Sequence, residues 1–233
     1  MDYFYCTPDK ITPTSVLIDG EEFSHLVHVM RKKEGDMIRV VNDKGMSYDV
    51  TLEVFEMKSA RGKIHATAQR HNEPANEVTI GVGVLKNPSK FDFLVEKVTE
   101  LGIKEIIPLK TERTIPSHAK VDRWQKLALS AMKQCGRSYL PSVRKLTTLD
   151  ELLTQRDMYD QKIIAHEQPL GNAVKKNLAT DVSSLLILIG PEGGFSDAEV
   201  DQCVASGCRT LYLGERRLRT ETAAIVAVAM AMR

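Results

Sequence analysis

The rhythm of apolar positions changes near residue 77. Between Glu21 and Arg31, the residues Phe23, Leu26, Val27 and Met30 recur at helical spacing, and Gly35 lies just beyond the expected stop. The runs MIRVVND, SYDVTLEVF and RGKIHATAQR then read as strands, the first two joined by a DKGM turn, with Tyr48, Val50, Leu52 and Val54 alternating. Short strands around one helix predict a compact β-barrel module. The polar segment QRHNEPANE, Gln69–Glu77, has no periodicity and carries Pro74. It is the expected boundary between a first domain over 1–72 and a second over 73–233.

From Val78 onward strands and helices alternate. VTIGVGVL is an apolar run, and SKFDFLVEKVTELG follows with Phe91, Leu94, Val98 and Leu101 on one face and Gly102 as its stop. EIIPL precedes a helix from Asp122 to Gly136, opened by a capping box of Asp122 with Gln125. QKIIAHE, VSSLLILIG, a helix capped by Ser196 with Glu199, TLYLG and a terminal helix complete the series. Strands that are apolar on both faces predict an α/β domain with a parallel sheet covered on both sides. In such sheets ligands sit at the carboxyl ends of the strands.

Composition narrows the classes. With 32 basic and 31 acidic residues the formal net charge is +1, so any basic footprint for nucleic acid is local rather than global. Cys6, Cys135, Cys203 and Cys208 include no C-x-x-C pair and no histidine at zinc-ligand spacing, which points to reduced thiols of a cytoplasmic protein and to no metal. His25, His28, His65, His71, His118 and His166 form no triad or metal set. No signal-type apolar region follows Met1, and Ala223–Met232 falls short of the roughly 20 residues that span a bilayer. A soluble chain without a membrane partner is expected. That last stretch is apolar all round, however, and burial against a second subunit would cover it, so a homodimer is expected.

The stretch LIGPEGGFSDAEV, Leu188–Val200, sets a Gly-rich turn between an apolar run and a helix start. It lacks the lysine of a P-loop and the spacing of a dinucleotide fingerprint. Glu192 would repel a phosphate at the helix N-terminus. An adenosine carrying a positive charge in place of phosphates suits the turn, and the sulfonium donor S-adenosylmethionine is such a molecule. A second strand end, LYLGERRLRTETAA, supplies Gly214, the cluster Arg216, Arg217 and Arg219, and Thr220 or Thr222 as cap of a helix whose first turn carries Glu221. Two Gly-ended strands of one sheet make two walls of one pocket. Arg31, Lys32, Lys86, Lys90, Arg113 and Arg137 fall where loops or helix ends are expected, and become a phosphate-contacting track if the fold gathers them.

With LIGPEGGFSDAE and LGERRLRTETAA both present, the chain resembles the bacterial small-subunit ribosomal RNA (uracil-N3)-methyltransferases, a branch of the SPOUT methyltransferases. LKNPSKFDFLVEKVTELGIKEIIPLKTERT, AMKQCGRSYLP and HVMRKKEGD extend the likeness over essentially the full length. The resemblance implies an N-terminal PUA-like β-barrel that helps hold RNA and a C-terminal SPOUT domain with a trefoil knot, a topology that general folding rules disfavour. It implies S-adenosyl-L-methionine bound by the knot loops of a homodimer, carried over here to Leu188, Ile189, Gly190, Pro191, Glu192, Gly193, Gly194, Leu213, Gly214, Leu218, Arg219, Thr220, Thr222 and Ala223. It also implies methylation at N3 of a uridine in 16S rRNA or the small ribosomal subunit. Arg31, Lys32, Lys86, Lys90, Arg113, Arg137 and Arg217 are the candidate RNA-binding residues. N3 must lose its proton, so Arg219 is expected to stabilise the uracil anion and Glu221 or Glu192 to accept the proton. The rival classes are an RNA-binding protein without activity and a nucleotide-dependent oxidoreductase or phosphotransferase.

Overall fold

The computed structural model describes residues 1–154, 158–168, 178 and 182–232. The chain divides into two compact units, Met1–Glu73 with Met132–Leu140, and Pro74–Ala131 with Pro141–Arg233. The observed division therefore does not follow a single cut after residue 72, because a short segment beyond residue 131 packs with the first unit.

In the first unit, β1 (Tyr3–Tyr5), β2 (Ser15–Asp19), β3 (Met37–Val41), β4 (Met46–Phe55) and β5 (Ser59–Gln69) form a curled half-barrel in the order β1-β3-β4-β5-β2. All pairs are antiparallel except β1 with β3. The alternating residues Val16 and Ile18, Ile38 and Val40, and Val50 and Leu52 meet Phe4, Leu26 and Ala60 in a shared core. Val54 breaks the expected alternation and is 49% exposed, because the register of β4 against β5 shifts between Leu52 and Val54. A bulge of this kind changes which face a strand residue occupies. The predicted helix over 21–31 forms as α1 (Gly20–Ser24) running into a wider π-helical turn over His25–Val29, where Met30 N–H bonds to the His25 carbonyl at 2.9 Å. Arg31 then turns the chain at φ 53°.

The second unit holds a seven-stranded sheet: β6 (Glu77–Gly83), β7 (Glu105–Lys110), β8 (Ser142–Val143), β9 (Thr147–Thr148), β10 (Gln161–Ala165), β11 (Ser184–Ile189) and β12 (Arg209–Leu211). Its path is β12-β10-β11-β6-β7-β8, with β9 on β7, and every pair is parallel. The connecting helices are α2 (Pro88–Leu101), α3 (Val121–Cys135, whose last residues belong to the first unit), α4 (Leu149–Leu153), α5 (Asp197–Ala205) and α6 (Thr220–Ala231). Asn87 caps α2 by accepting from Ser89 N–H at 3.0 Å, Pro88 occupies its first turn, and Gly102 closes it at φ 108°. That is the start and stop chemistry of an isolated helix. The capping box of Ser196 with Glu199 forms as expected at α5. The one expected for Asp122 with Gln125 does not organise α3, since Gln125 instead donates to the Pro141 carbonyl at 3.0 Å and accepts from Val143 N–H at 2.9 Å. The apolar helix α6 packs on α2, β6 and β11. Ala224, Ala227, Val228 and Ala231 are buried there, while Ile225, Val226 and Met230 remain half-buried. No described helix is long and apolar enough to cross a membrane.

Candidate cofactor and substrate cavity

A cavity of about 640 Å³ opens at the carboxyl ends of β10, β11 and β12. Its walls are the Gly190–Phe195 turn after β11, the Leu213–Glu221 segment leading into α6, the Ala165–Gln168 segment after β10, and the side chains of Lys90 and Arg113. This is the crevice position that parallel sheets reserve for ligands.

The turn after β11 is built tightly on backbone. Gly194 N–H bonds to the Pro191 carbonyl at 2.9 Å, with Gly194 at φ 70°. At Gly190 a Cβ would lie 2.8–2.9 Å from backbone atoms of Gly194 and Phe195, so the turn folds back over a position that only glycine leaves open. At Gly83 a Cβ would meet Pro191 at 2.5 Å, which seats the turn directly on the end of β6. Glu192 answers the puzzle it posed: exposed at the tip, it accepts from Lys86 N–H at 3.0 Å and ties the turn to the loop after β6. Its carboxylate satisfies an otherwise open donor at the approach to α2.

On the opposite wall, Arg219 occupies the cap position of α6 with extended backbone and no side-chain cap bond. The cap expected from Thr220 or Thr222 is therefore absent; Thr220 already lies in the helix and is buried. Glu221, in the first turn, is 8% exposed. Its Oε2 is buried without a hydrogen-bond partner, and its Oε1 lies 3.4 Å from Lys90 Nζ. A buried carboxylate oxygen left without a donor is energetically unfavourable, and this one belongs to a residue of the cavity wall.

Of the residues expected around the cofactor, Ile189, Gly190, Pro191, Glu192, Gly193, Gly194, Leu213, Gly214, Leu218, Arg219, Thr220 and Ala223 line this cavity together with Glu221. Leu188 does not, being fully buried in the apolar cluster with Ile107, Leu109, Leu186 and Phe195. Thr222 does not either, being exposed on α6. The basic residues scatter. Lys90, Arg113 and Arg217 face the cavity. Arg113 Nη1 donates to the carbonyls of Gly193 at 2.9 Å and Phe195 at 3.1 Å. Arg217 lies 3.3 Å from Glu167, an exposed pair of small energetic weight. Arg137 is 3% exposed and its guanidinium bonds Glu73 at 2.7 and 3.1 Å, so it is a buried structural cation of the first unit rather than a surface contact. Arg31 and Lys86 are exposed, and half-buried Lys32 pairs with Asp2 at 2.7 Å.

Sequence reasoning missed the third wall, Ala165, His166, Glu167 and Gln168, along with Asp197 and Glu215. The signal was present in QKIIAHE, whose strand ends at Ala165; what the sequence lacks is the strand order that sets β10 between β11 and β12. Among the described residues no group of three or more His, Cys, Asp or Glu side chains could hold a metal ion.

Comparison with known proteins adds an independent line. Residues 71–232 match the family described as RNA methyltransferase domain, and residues 18–64 the RNA methyltransferase PUA domain. A Bacillus subtilis (strain 168) protein named ribosomal RNA small subunit methyltransferase E is 31% identical over 223 residues, 91% of this chain and 87% of its own. A protein of the same name from Mesomycoplasma hyopneumoniae (strain 232) is 32% identical over 172 residues, 72% of this chain and 74% of its own. The crystal structure of a ribosomal RNA small subunit methyltransferase E from Neisseria gonorrhoeae bound to S-adenosyl methionine superposes with a TM-score of 0.84 at 29% identity, over 98% of this chain and 95% of that one.

Proposed function

We propose, from the premise that this chain belongs to the ribosomal RNA small subunit methyltransferase E family of RNA methyltransferases, that it methylates small-subunit ribosomal RNA with S-adenosyl methionine as donor, at N3 of a uridine. The observation that carries the reading is the cavity in which a tight Gly-rich turn faces a buried, half-unpartnered carboxylate. The donor supplies a methyl group on a positively charged sulfur. The residues fit such a molecule: the turn offers close backbone approach where side chains are absent, and it needs no phosphate.

The protein's own part is alignment and electrostatics. Uracil N3 carries a proton that must leave for the nitrogen to attack. Glu221 is the better acceptor of the two carboxylates considered, because Glu192 is exposed and already engaged by Lys86 N–H, whereas Glu221 is buried with one oxygen free. Arg219, exposed at the cavity edge beside it, stabilises the negative charge that develops on the uracil. Lys90 Nζ, 3.4 Å from Glu221 Oε1, holds that side of the carboxylate in place.

In this reading residues 1–72 hold RNA and residues 73–233 transfer the methyl group; Arg31 in the first range and Lys86 in the second are exposed candidates for phosphate contact. A homodimer through α6 is supported by the half-buried apolar residues on that helix. The test is transfer of radiolabelled methyl from S-adenosyl methionine to small ribosomal subunits lacking the modification, with the labelled nucleoside identified by mass spectrometry. Label in 3-methyluridine is the expected result. Donor binding without label in the RNA would sink the catalytic reading and leave an RNA-binding protein.

A further inference from the structure

Arg113 was grouped by sequence with the RNA-facing cations, yet its guanidinium, on an exposed residue, is taken up by backbone carbonyls. One nitrogen, Nη1, donates to the carbonyls of both Gly193 and Phe195, at 2.9 and 3.1 Å. These carbonyls flank Gly194, which sits at φ 70° with open space where a side chain would be. The Gly193 carbonyl belongs to the peptide entering Gly194 and the Phe195 carbonyl to the peptide leaving Phe195, so one guanidinium spans the stretch of turn that contains the positive-φ glycine. The stem of Arg113 runs beneath Gly193, where a Cβ would come within 3.2 Å of the arginine's own Cβ.

The loop that carries Arg113 is itself anchored on both sides. Glu112 N–H donates to Glu199 Oε1 at 2.8 Å, while Glu199 Oε2 accepts from Ser196 N–H at 2.9 Å, so one carboxylate joins the loop to the start of α5. After the arginine, the Thr114 carbonyl accepts from Lys110 Nζ at 2.9 Å. An anchored loop holding a guanidinium against two carbonyls of a glycine-rich turn is a device for pre-organisation, which raises affinity by removing the ordering cost at binding.

We infer that Arg113 is a positioning residue that locks the Gly190–Phe195 turn in its ligand-ready shape, and that it is not a phosphate contact. The inference rests on the cofactor-binding reading of the cavity. The full-length chain with Arg113→Ala and Arg113→Lys is titrated calorimetrically with S-adenosyl methionine, and amide exchange is followed over residues 190–196. The expected result is an affinity about tenfold lower for Arg113→Ala, partial recovery in Arg113→Lys, and faster exchange in the turn. Affinity for small-subunit RNA and its dependence on salt stay as in the wild type. An Arg113→Ala chain that binds the donor like the wild type, or that loses RNA affinity with a shallower salt slope, overturns the inference. If the alanine chain does not fold, the lysine chain decides, since full donor affinity there alongside lost RNA affinity has the same meaning. Failure of the wild type to bind the donor removes the underlying reading instead.

Discussion

Replacing Gly190 by alanine tests the turn at its tightest point. The added Cβ would lie 2.8 Å from the Gly194 carbonyl carbon and 2.9 Å from Gly194 Cα and Phe195 N. All three are backbone atoms, so no flexible side chain can swing aside. Restoring ordinary contact requires the two limbs of the turn to part by about half an ångström, and forced overpacking of this kind costs about 1–3 kcal/mol. If the displaced turn must be driven back for the donor to bind, the same energy is lost from binding, which is roughly a 5- to 150-fold weaker Kd. Gly207→Ala is the control. Gly207 has φ 86°, lies outside the cavity, and its Cβ would meet only Lys162 Nζ at 3.8 Å. That variant carries backbone strain of about 1–2 kcal/mol without touching the turn, so its melting temperature falls while donor affinity holds. Calorimetric titration with S-adenosyl methionine, beside thermal melting, separates the two. A Gly190→Ala chain that binds the donor within twofold of the wild type would refute the claim that this backbone shape recognises the ligand.

The remaining expectations concern chemistry and stability. Glu221→Gln should bind the donor within a few-fold of the wild type yet lose most turnover, and Arg219→Ala should lose turnover far more than donor affinity; equal losses in single-turnover rate and affinity would remove both catalytic assignments. Arg137→Ala leaves Glu73 buried without its cation and should cost about 3–5 kcal/mol in urea unfolding, whereas a cost below about 1 kcal/mol would show the pair to be incidental. Burial pushes the Cys6 thiol up to about 12 from 9.0, and burial together with Asp43 pushes Tyr5 up to about 12 from 10.0. Both groups are folded in their neutral form, so their contribution is complete below about pH 9 and is lost as pH climbs toward 12. Urea midpoints should therefore fall across that alkaline window, and Cys6→Ser with Tyr5→Phe should flatten the decline; an unchanged slope would discount these groups.

Much of the cavity was legible because its parts are local. The capping box at Ser196 and Glu199, the stop at Gly102 and the Gly-rich turn are each encoded within a few neighbouring residues, and they recur in the structure where the sequence predicts them. Misreadings arose where the deciding partner is distant. Gln125 seemed to complete a helix cap but bonds the chain beyond residue 140, and Arg137 seemed a loop cation but meets Glu73, 64 residues away.

The chain's own periodicity and turn chemistry therefore determined the alternation of strands and helices, the parallel sheet and the two Gly-ended walls. Tertiary structure alone decided the phase of β11, which is apolar on both faces and so carries no alternation to say that Leu188 turns into the core. It alone decided the strand order as well, and with it the third wall after β10 and the placing of Lys90 and Arg113 at the cavity. The reason is range: hydrogen bonds within a turn are written into adjacent residues, whereas strand order and the direction of a long charged side chain follow from which buried surfaces and carbonyls meet once the whole sheet has closed.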